Sequence, residues 1–292
     1  MSNQPNSFLK NILQLNLAML LVSTSGVLGR AVTLSPVITI GLRALLAAFF
    51  LFLFLKWKKI SLRISKEDRL QVFLGGLLIG IHWVAYFKAL QLSNVAIGML
   101  TIFTYPALTS ILEPLLLRLP FQKIHFFLAL LVLAGIAFLL PDLDFENEYT
   151  QAVGFGIGSA LAYALRNILM KKQVANYHGS LLMWYQVLIV GILLIPLSFQ
   201  TSVQAIQENL WLILALALLT TALGHTLFLL SFRYFSITTA SIISSVQPVY
   251  GILLGILILG EVPKLATIFG GLLILSAVVI ESLRTAKEVR VK

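Results

Sequence analysis

Ten long apolar runs, separated by prolines, glycines and charge clusters, divide the chain near residues 12–32, 36–55, 70–90, 95–117, 124–140, 152–170, 180–199, 210–232, 236–259 and 265–283. A helix needs roughly 20 mainly apolar residues to cross a bilayer. Backbone N–H and C=O groups find no partner in lipid, so such runs must satisfy themselves as helices. A β-barrel would alternate apolar and polar positions, whereas Ala44–Leu55 is apolar throughout. The pattern predicts an all-α polytopic membrane protein of ten transmembrane helices.

Composition agrees: of 292 residues, 59% are hydrophobic and 11% charged, and the mean hydropathy is +0.97. A net charge of +10 could mean a nucleic-acid partner, but the basic residues cluster beside the apolar runs, as the orientation rule for membrane proteins expects. With a cytoplasmic N-terminus, sixteen of the 21 Lys and Arg residues fall on the inner side. Arg30 and Lys264 fall outside, and Arg43, Lys88 and Arg166 lie within spans. The expectation is a multi-pass inner-membrane protein with both termini in the cytoplasm, surrounded by lipid, with no nucleic-acid partner. The first run exceeds a signal-peptide core and is expected to remain as the first helix. With no cysteine there can be no disulfide and no thiolate metal site.

The acidic segment Pro141–Tyr149 lacks Lys and Arg and follows the fifth span. It predicts a first repeat at 1–141, an external linker at 142–151 and a second repeat at 152–292. Superposing Tyr105-Pro106 on Gln247-Pro248 brings His82 within one position of His225. Five spans per half is an odd number, so the second half enters from the opposite side, an inverted repeat of the kind used for alternating access.

Several short motifs recur on this plan: Leu34-Ser-Pro36 followed by Leu42-Arg43, a turn before Ala96 and Thr238, a proline within spans four and nine, and Leu259-Gly-Glu261 before span ten. With the repeat, they make the chain resemble the EamA-like branch of the drug/metabolite transporter superfamily over nearly its whole length. The resemblance implies two five-helix halves, a central cavity among spans one, three, four, six, eight and nine, peripheral spans five and ten, and export. The first half departs from it: Arg118-Leu-Pro120 stands where the second has Gly-Glu, and Glu113-Pro114 comes five residues earlier.

Polar residues within spans are the candidates for chemistry. Arg43 lies inside the outer end of span two, where it could bind a substrate anion, face Arg30, or cap carbonyls and lipid phosphate. Arg166 follows a Gly154, Gly158, Ala162 stripe that suggests helix packing, and it lies near enough to the cytoplasmic end to snorkel. Glu113 could carry a coupling proton or pair with Arg118 or Lys123. The proposed substrate site comprises His82 and Tyr86 on one face of span three, Thr101 and Tyr105 on span four, Tyr163 on span six, His225 on span eight, and Ser244 and Gln247 on span nine. The prolines of spans four and nine would free carbonyls beside it.

These features predict a secondary transporter for a small organic solute, such as an amino acid or related metabolite. No phosphate-binding G-x-x-x-x-G-K-[ST] loop occurs, so gradients or exchange must drive it. An intramembrane enzyme would need a nucleophile with a base or a metal cluster, and the spans offer no catalytic constellation. A channel or structural membrane protein is the other alternative. No cofactor is expected.

Overall fold

The computed structural model describes residues 4–117, 124–139, 144–235, 240, 243, 244 and 246–291. Arg118, Leu119, Pro120, Lys123, Thr238, Ser241, Ser245 and the linker residues 141–143 lie outside the described residues. The described residues form helices only: α1 (Gln4–Ala31), α2 (Pro36–Trp57), α3 (Arg69–Leu92), α4 (Val95–Ile102), α5 (Tyr105–Leu117), α6 (Ile124–Leu139), α7 (Glu148–Asn176), α8 (Gly179–Ser198), α9 (Val203–Glu208) and α10 (Leu210–Ala215), then a π-helical stretch (Leu216–His225) running into α11 (Thr226–Ser231), then α12 (Gln247–Leu259) and α13 (Leu265–Val291). Among them, seven segments are long and apolar enough to cross a membrane, and three further apolar helices are shorter. The molecule is thus a polytopic helical membrane protein.

Local chemistry explains the element boundaries. Ser35 and Asn94 accept backbone N–H groups of Ile38 and Ile97 at the starts of α2 and α4, and Pro36 occupies the first position of α2, where its missing N–H costs nothing. α12 ends at Gly260, whose φ of 68° lies in the left-handed region. The Gly260 N–H then reaches the Ile256 carbonyl, an αL cap, and the Glu261 N–H reaches the Gly255 carbonyl. This turn presents the Glu261 carboxylate.

Two expectations about prolines and glycines change. Pro106 and Pro248 do not kink continuous helices; each sits at the second position of a new one, α5 and α12. Among the described residues Gly154 and Gly158 meet no neighbouring helix, whereas an added side chain at Gly156 would collide with Thr101 of α4. Helical geometry turns 100° per residue, so the packing stripe lies two positions off the expected face.

α3 packs along α7, α2 along α8, α6 along α13, α1 against the π-helical stretch, and α4 against α12. One apolar cluster joins α1–α5, α7, α8 and the π region. A second, smaller one joins α6 and α13 at the periphery with α4 and α7. Large apolar side chains such as Leu17, Phe49, Leu133, Ile192, Leu257 and Phe269 point outward, as a lipid-facing surface requires.

Candidate functional site

At the meeting of these helices lies a small buried cavity lined by Ser25 of α1, Arg43 of α2, His82, Trp83 and Tyr86 of α3, Phe103 and Tyr105 at the α4–α5 junction, Tyr163 of α7, His225 of the π region and Gln247 of α12. Its volume of about 10 Å³ suits one water and nothing larger. Six of the eight residues expected at a substrate site therefore line one space: His82, Tyr86, Tyr105, Tyr163, His225 and Gln247. Ser244 stands behind them, its hydroxyl 2.7 Å from the Tyr105 hydroxyl. Thr101 does not reach the cavity: its hydroxyl bonds back to the Ile97 carbonyl at 2.7 Å and its side chain packs on Gly156.

The cavity walls are aromatic and mutually oriented. His82 stacks on Tyr163 with ring centroids 4.3 Å apart, and Tyr163 meets Tyr105 edge-on at 4.9 Å. Ser159 Oγ donates to the His82 carbonyl at 2.9 Å and lies 2.8 Å from His82 Nδ1. Since the serine has one proton to give, Nδ1 donates and the ring presents that tautomer. On the other side, Trp83 Nε1 donates to His225 Nε2 at 3.2 Å, and His225 Nδ1 has no partner among the described residues. The two histidines are thus held by different halves of the chain's polar network.

Arg43 belongs to this wall and not to the neighbourhood of Arg30. It is fully buried, its Nε donates to Thr221 Oγ1 at 2.6 Å, and its guanidinium carbon lies 4.5 Å from the centre of the Trp83 ring. The π turn positions this acceptor: Thr221 Oγ1 also donates to the Leu216 carbonyl five residues back, a spacing that a regular α-helix does not offer. Sequence reading missed Trp83, Thr221 and Ser25. Trp83 follows His82 directly and could have been noticed as a cation–π partner, but no local pattern announces a π turn.

Arg166 does not snorkel. α7 continues to Asn176, so Arg166 lies deep in the helix and is fully buried. Its Nε donates to Gln186 Oε1 at 2.8 Å and its Nη1 to Asn167 Oδ1 at 3.0 Å. Glu113, two-thirds along α5, has Lys171 of α7 as its electrostatic neighbour.

Beyond the cavity the two ends of the bundle are closed by different polar networks. At the end where α1 finishes, Arg30 pairs with Glu261 at 3.3 Å and donates to the Gln91 carbonyl, while the other Glu261 oxygen accepts the Val95 N–H at 2.8 Å. A pocket of about 250 Å³ lies beside them. At the opposite end, Asp68 accepts from Tyr177 at 2.7 Å, from Ser65 at 2.9 Å and from Gln173 at 3.1 Å. Gln173 also bonds Gln71. Hydrogen bonds from Tyr177 and then Ser65 hold the Asp68 carboxyl below its ordinary range, and burial lowers His178, the N-cap of α8, with Arg233 adding to the shift. Lys171 donates to the Phe232 and Phe235 carbonyls, and Arg233 to those of Val174 and Tyr177.

Comparison with known proteins bears on the same architecture. The sequence profile of the EamA-like transporter family matches residues 9–140 and again 150–283. The threonine/homoserine exporter RhtA of Escherichia coli K12 is 26% identical over 272 residues, covering 88% of each chain. RhtA of Salmonella typhimurium LT2 is 28% identical over 228 residues, 75% of this chain and 72% of its own. The pseudopaline exporter CntI of Pseudomonas aeruginosa PAO1 is 22% identical over 237 residues, 81% of this chain and 83% of its own. One solved crystal structure superposes with a TM-score of 0.69 at 19% identity, covering 94% of this chain and 98% of that one, a likeness of fold. The chain belongs to the EamA-like transporter family, and is accordingly a multi-pass membrane transporter of small solutes and not an enzyme.

Proposed function

We propose that the chain is an inner-membrane exporter of a small organic solute, an amino acid or a related metabolite, working by alternating access. On this reading ten transmembrane segments form two inverted five-helix repeats, 1–141 and 152–292, joined by the external segment 142–151, with both termini cytoplasmic. The observation that carries it is the packing map with the cavity at its centre. Exchanging the halves sends α1 to α7, α2 to α8, α3 to the π-bearing helix, the α4–α5 segment to the α12 segment and α6 to α13. The contacts α2–α8, α4–α12 and α6–α13 then map onto themselves, and α3–α7 maps onto the contact of α1 with the π region. A map invariant under exchange supports a twofold axis in the membrane plane, and a rocking motion about that axis exposes the cavity to each side in turn. His82, Tyr86, Tyr105, Tyr163, His225 and Gln247 form the site, with Ser244 setting Tyr105. The Arg30–Glu261 network closes the outer face and the Asp68–Tyr177 network the inner face.

The relatives' names, exporters of threonine and homoserine and of pseudopaline, favour export of an amino acid or a related metabolite. The test is counterflow in proteoliposomes holding a pool of labelled amino acids and other metabolites, with and without a proton gradient. Saturable movement that Tyr105→Phe or Gln247→Ala weakens, in protein that still inserts, supports the reading. Non-saturable flux would return the channel alternative.

A further inference from the structure

Two arginines are buried where the halves meet, and they differ in what their guanidiniums touch. Arg166 is shared among Gln186, Asn167 and, at 3.8 Å, the Met183 sulfur. Arg43 is buried as completely, yet beyond its Nε bond to Thr221 neither Nη1 nor Nη2 finds an acceptor among the described residues. The guanidinium carbon lies over two aromatic rings, 4.5 Å from the centroid of Trp83 and 5.6 Å from that of Phe87. What remains without an acceptor among the described residues is the pair of Nη groups, the fork that can match a carboxylate bidentately.

A packing role does not account for this. Leucine or methionine would fill the same volume without burying a cation whose donors go unpaired. Among the described residues the one ion pair is Arg30–Glu261, at the end of the bundle, so no carboxylate of this site neutralises Arg43. Its surroundings add positive potential: α5 and α12, each 13 residues long, begin at Tyr105 and Gln247 on the same cavity, one helix N-terminus from each half.

We infer that Nη1 and Nη2 of Arg43 bind the carboxylate of the transported solute, so the carrier selects small carboxylate-bearing metabolites and rejects their neutral amide and alcohol analogues. The inference rests on the carrier reading above and deepens it. Arg43 reads the anion from the first half while Thr221, on the second, fixes the guanidinium by its Nε, so recognition spans the junction that opens and closes.

The experiment is counterflow with the purified full-length protein in proteoliposomes, using labelled L-amino acids and, separately, labelled primary amines and sugars. Any amino acid that moves is competed by its own amide and its own amino alcohol. The acid is expected to compete at least about tenfold better than either analogue on the wild-type protein. Arg43→Gln is expected to raise the half-saturating concentration by about tenfold or more and to bring acid and amide close to parity, while Arg43→Lys keeps the preference for the acid at weaker affinity. An amide that competes as well as the acid on wild-type protein overturns the assignment without any variant having to fold. If amines or sugars move and no acid does, the carrier reading stands and the Arg43 assignment falls; if nothing moves, both fall.

Discussion

The closure around Glu261 makes the most direct test of alternating access. The Glu261 carboxylate does two things at once: it accepts the Val95 N–H at the start of α4, and it faces Arg30 at 3.3 Å. Loss of an N-terminal acceptor costs about 1 kcal/mol, and a partly exposed ion pair contributes about 0.5 kcal/mol. If these contacts exist only while the outer face is closed, Glu261→Ala raises the outward-open fraction by roughly tenfold, since about 1.4 kcal/mol is one decade. Glu261→Gln keeps an oxygen for Val95 and loses only the charge, so its effect is about twofold, matched in wild-type protein by ~1 M salt. The chain has no cysteine, so a single Ser25→Cys in the cavity wall reports accessibility without further engineering. Its rate of reaction with externally added sulfonatoethyl methanethiosulfonate, which does not cross the membrane, is expected to rise about twofold in Glu261→Gln and roughly tenfold in Glu261→Ala. Asp68→Asn, which weakens the opposite closure, is expected to lower it. Folded Glu261→Ala protein that labels at the unchanged rate, or Glu261→Ala and Asp68→Asn proteins that shift labelling in the same direction, would refute the two-gate scheme.

Three further outcomes follow from the structure. Asp68 is held below its ordinary pKa in the folded state, so its contribution is complete above about pH 4 and disappears as pH falls through the lower folded value. Hydrogen exchange of residues 62–70 is expected to be flat from pH 8 to about pH 5 after correction for intrinsic rates, and protection lost already near neutrality would contradict this. Replacing Arg166 with Met leaves Gln186 Oε1 and Asn167 Oδ1 without their donor, at about 1–3 kcal/mol each. The thermal midpoint in detergent is expected to fall by several degrees, and an unchanged midpoint would show that the network is dispensable. α6 and α13 touch through Gly135 and Gly270, where an added Cβ would stand 2.8 Å from the Gly270 carbonyl oxygen or 2.6 Å from that of Gly135. Alanine at either position is therefore expected to destabilise by about 1–3 kcal/mol in a denaturant titration, and a neutral result would mean that this crossing is not close.

What the sequence disclosed and what it hid divide along a physical line. Apolar runs must be helical in lipid, so the helices were legible, and superposing Tyr105-Pro106 on Gln247-Pro248 already brings together Tyr105 with Gln247 and His82 with His225, four residues that line one cavity. Direction of packing was not legible. Gly156 meets Thr101 while Gly154 and Gly158 meet nothing among the described residues, a matter of helix rotation that apolar residues on every face cannot specify. Arg166 read as a snorkelling residue because span six was ended at 170, yet α7 carries Lys171 and Lys172 within its last two turns and continues to Asn176. Thr101 followed the four-residue spacing of Tyr105 and Thr109, but the chain breaks at Phe103–Thr104 and a spacing rule fails across a break. The partner of Arg43 was hidden most deeply, since Thr221 is 178 positions away and faces it from a π turn.

That break and that turn bear on how such a carrier can move. An unbroken helix packed along its whole length transmits a rotation as one body. A segment divided between α4 and α5 offers two short bodies and a joint, and a π stretch supplies a register that can tighten by one residue. Both irregularities lie at the cavity: Phe103 and Tyr105 flank the joint, and Thr221 and His225 belong to the π stretch. The regular pairs α2–α8 and α6–α13 run alongside without a break. On the proposed reading, motion about the site has its flexible points where the solute would be held and its rigid struts away from it. Solute that engages Arg43 pulls through Thr221 on the π stretch and through Trp83 on His225. On that proposal, binding at Arg43 of α2 would reach the π stretch through two hydrogen bonds, which is the coupling that a rocking mechanism requires.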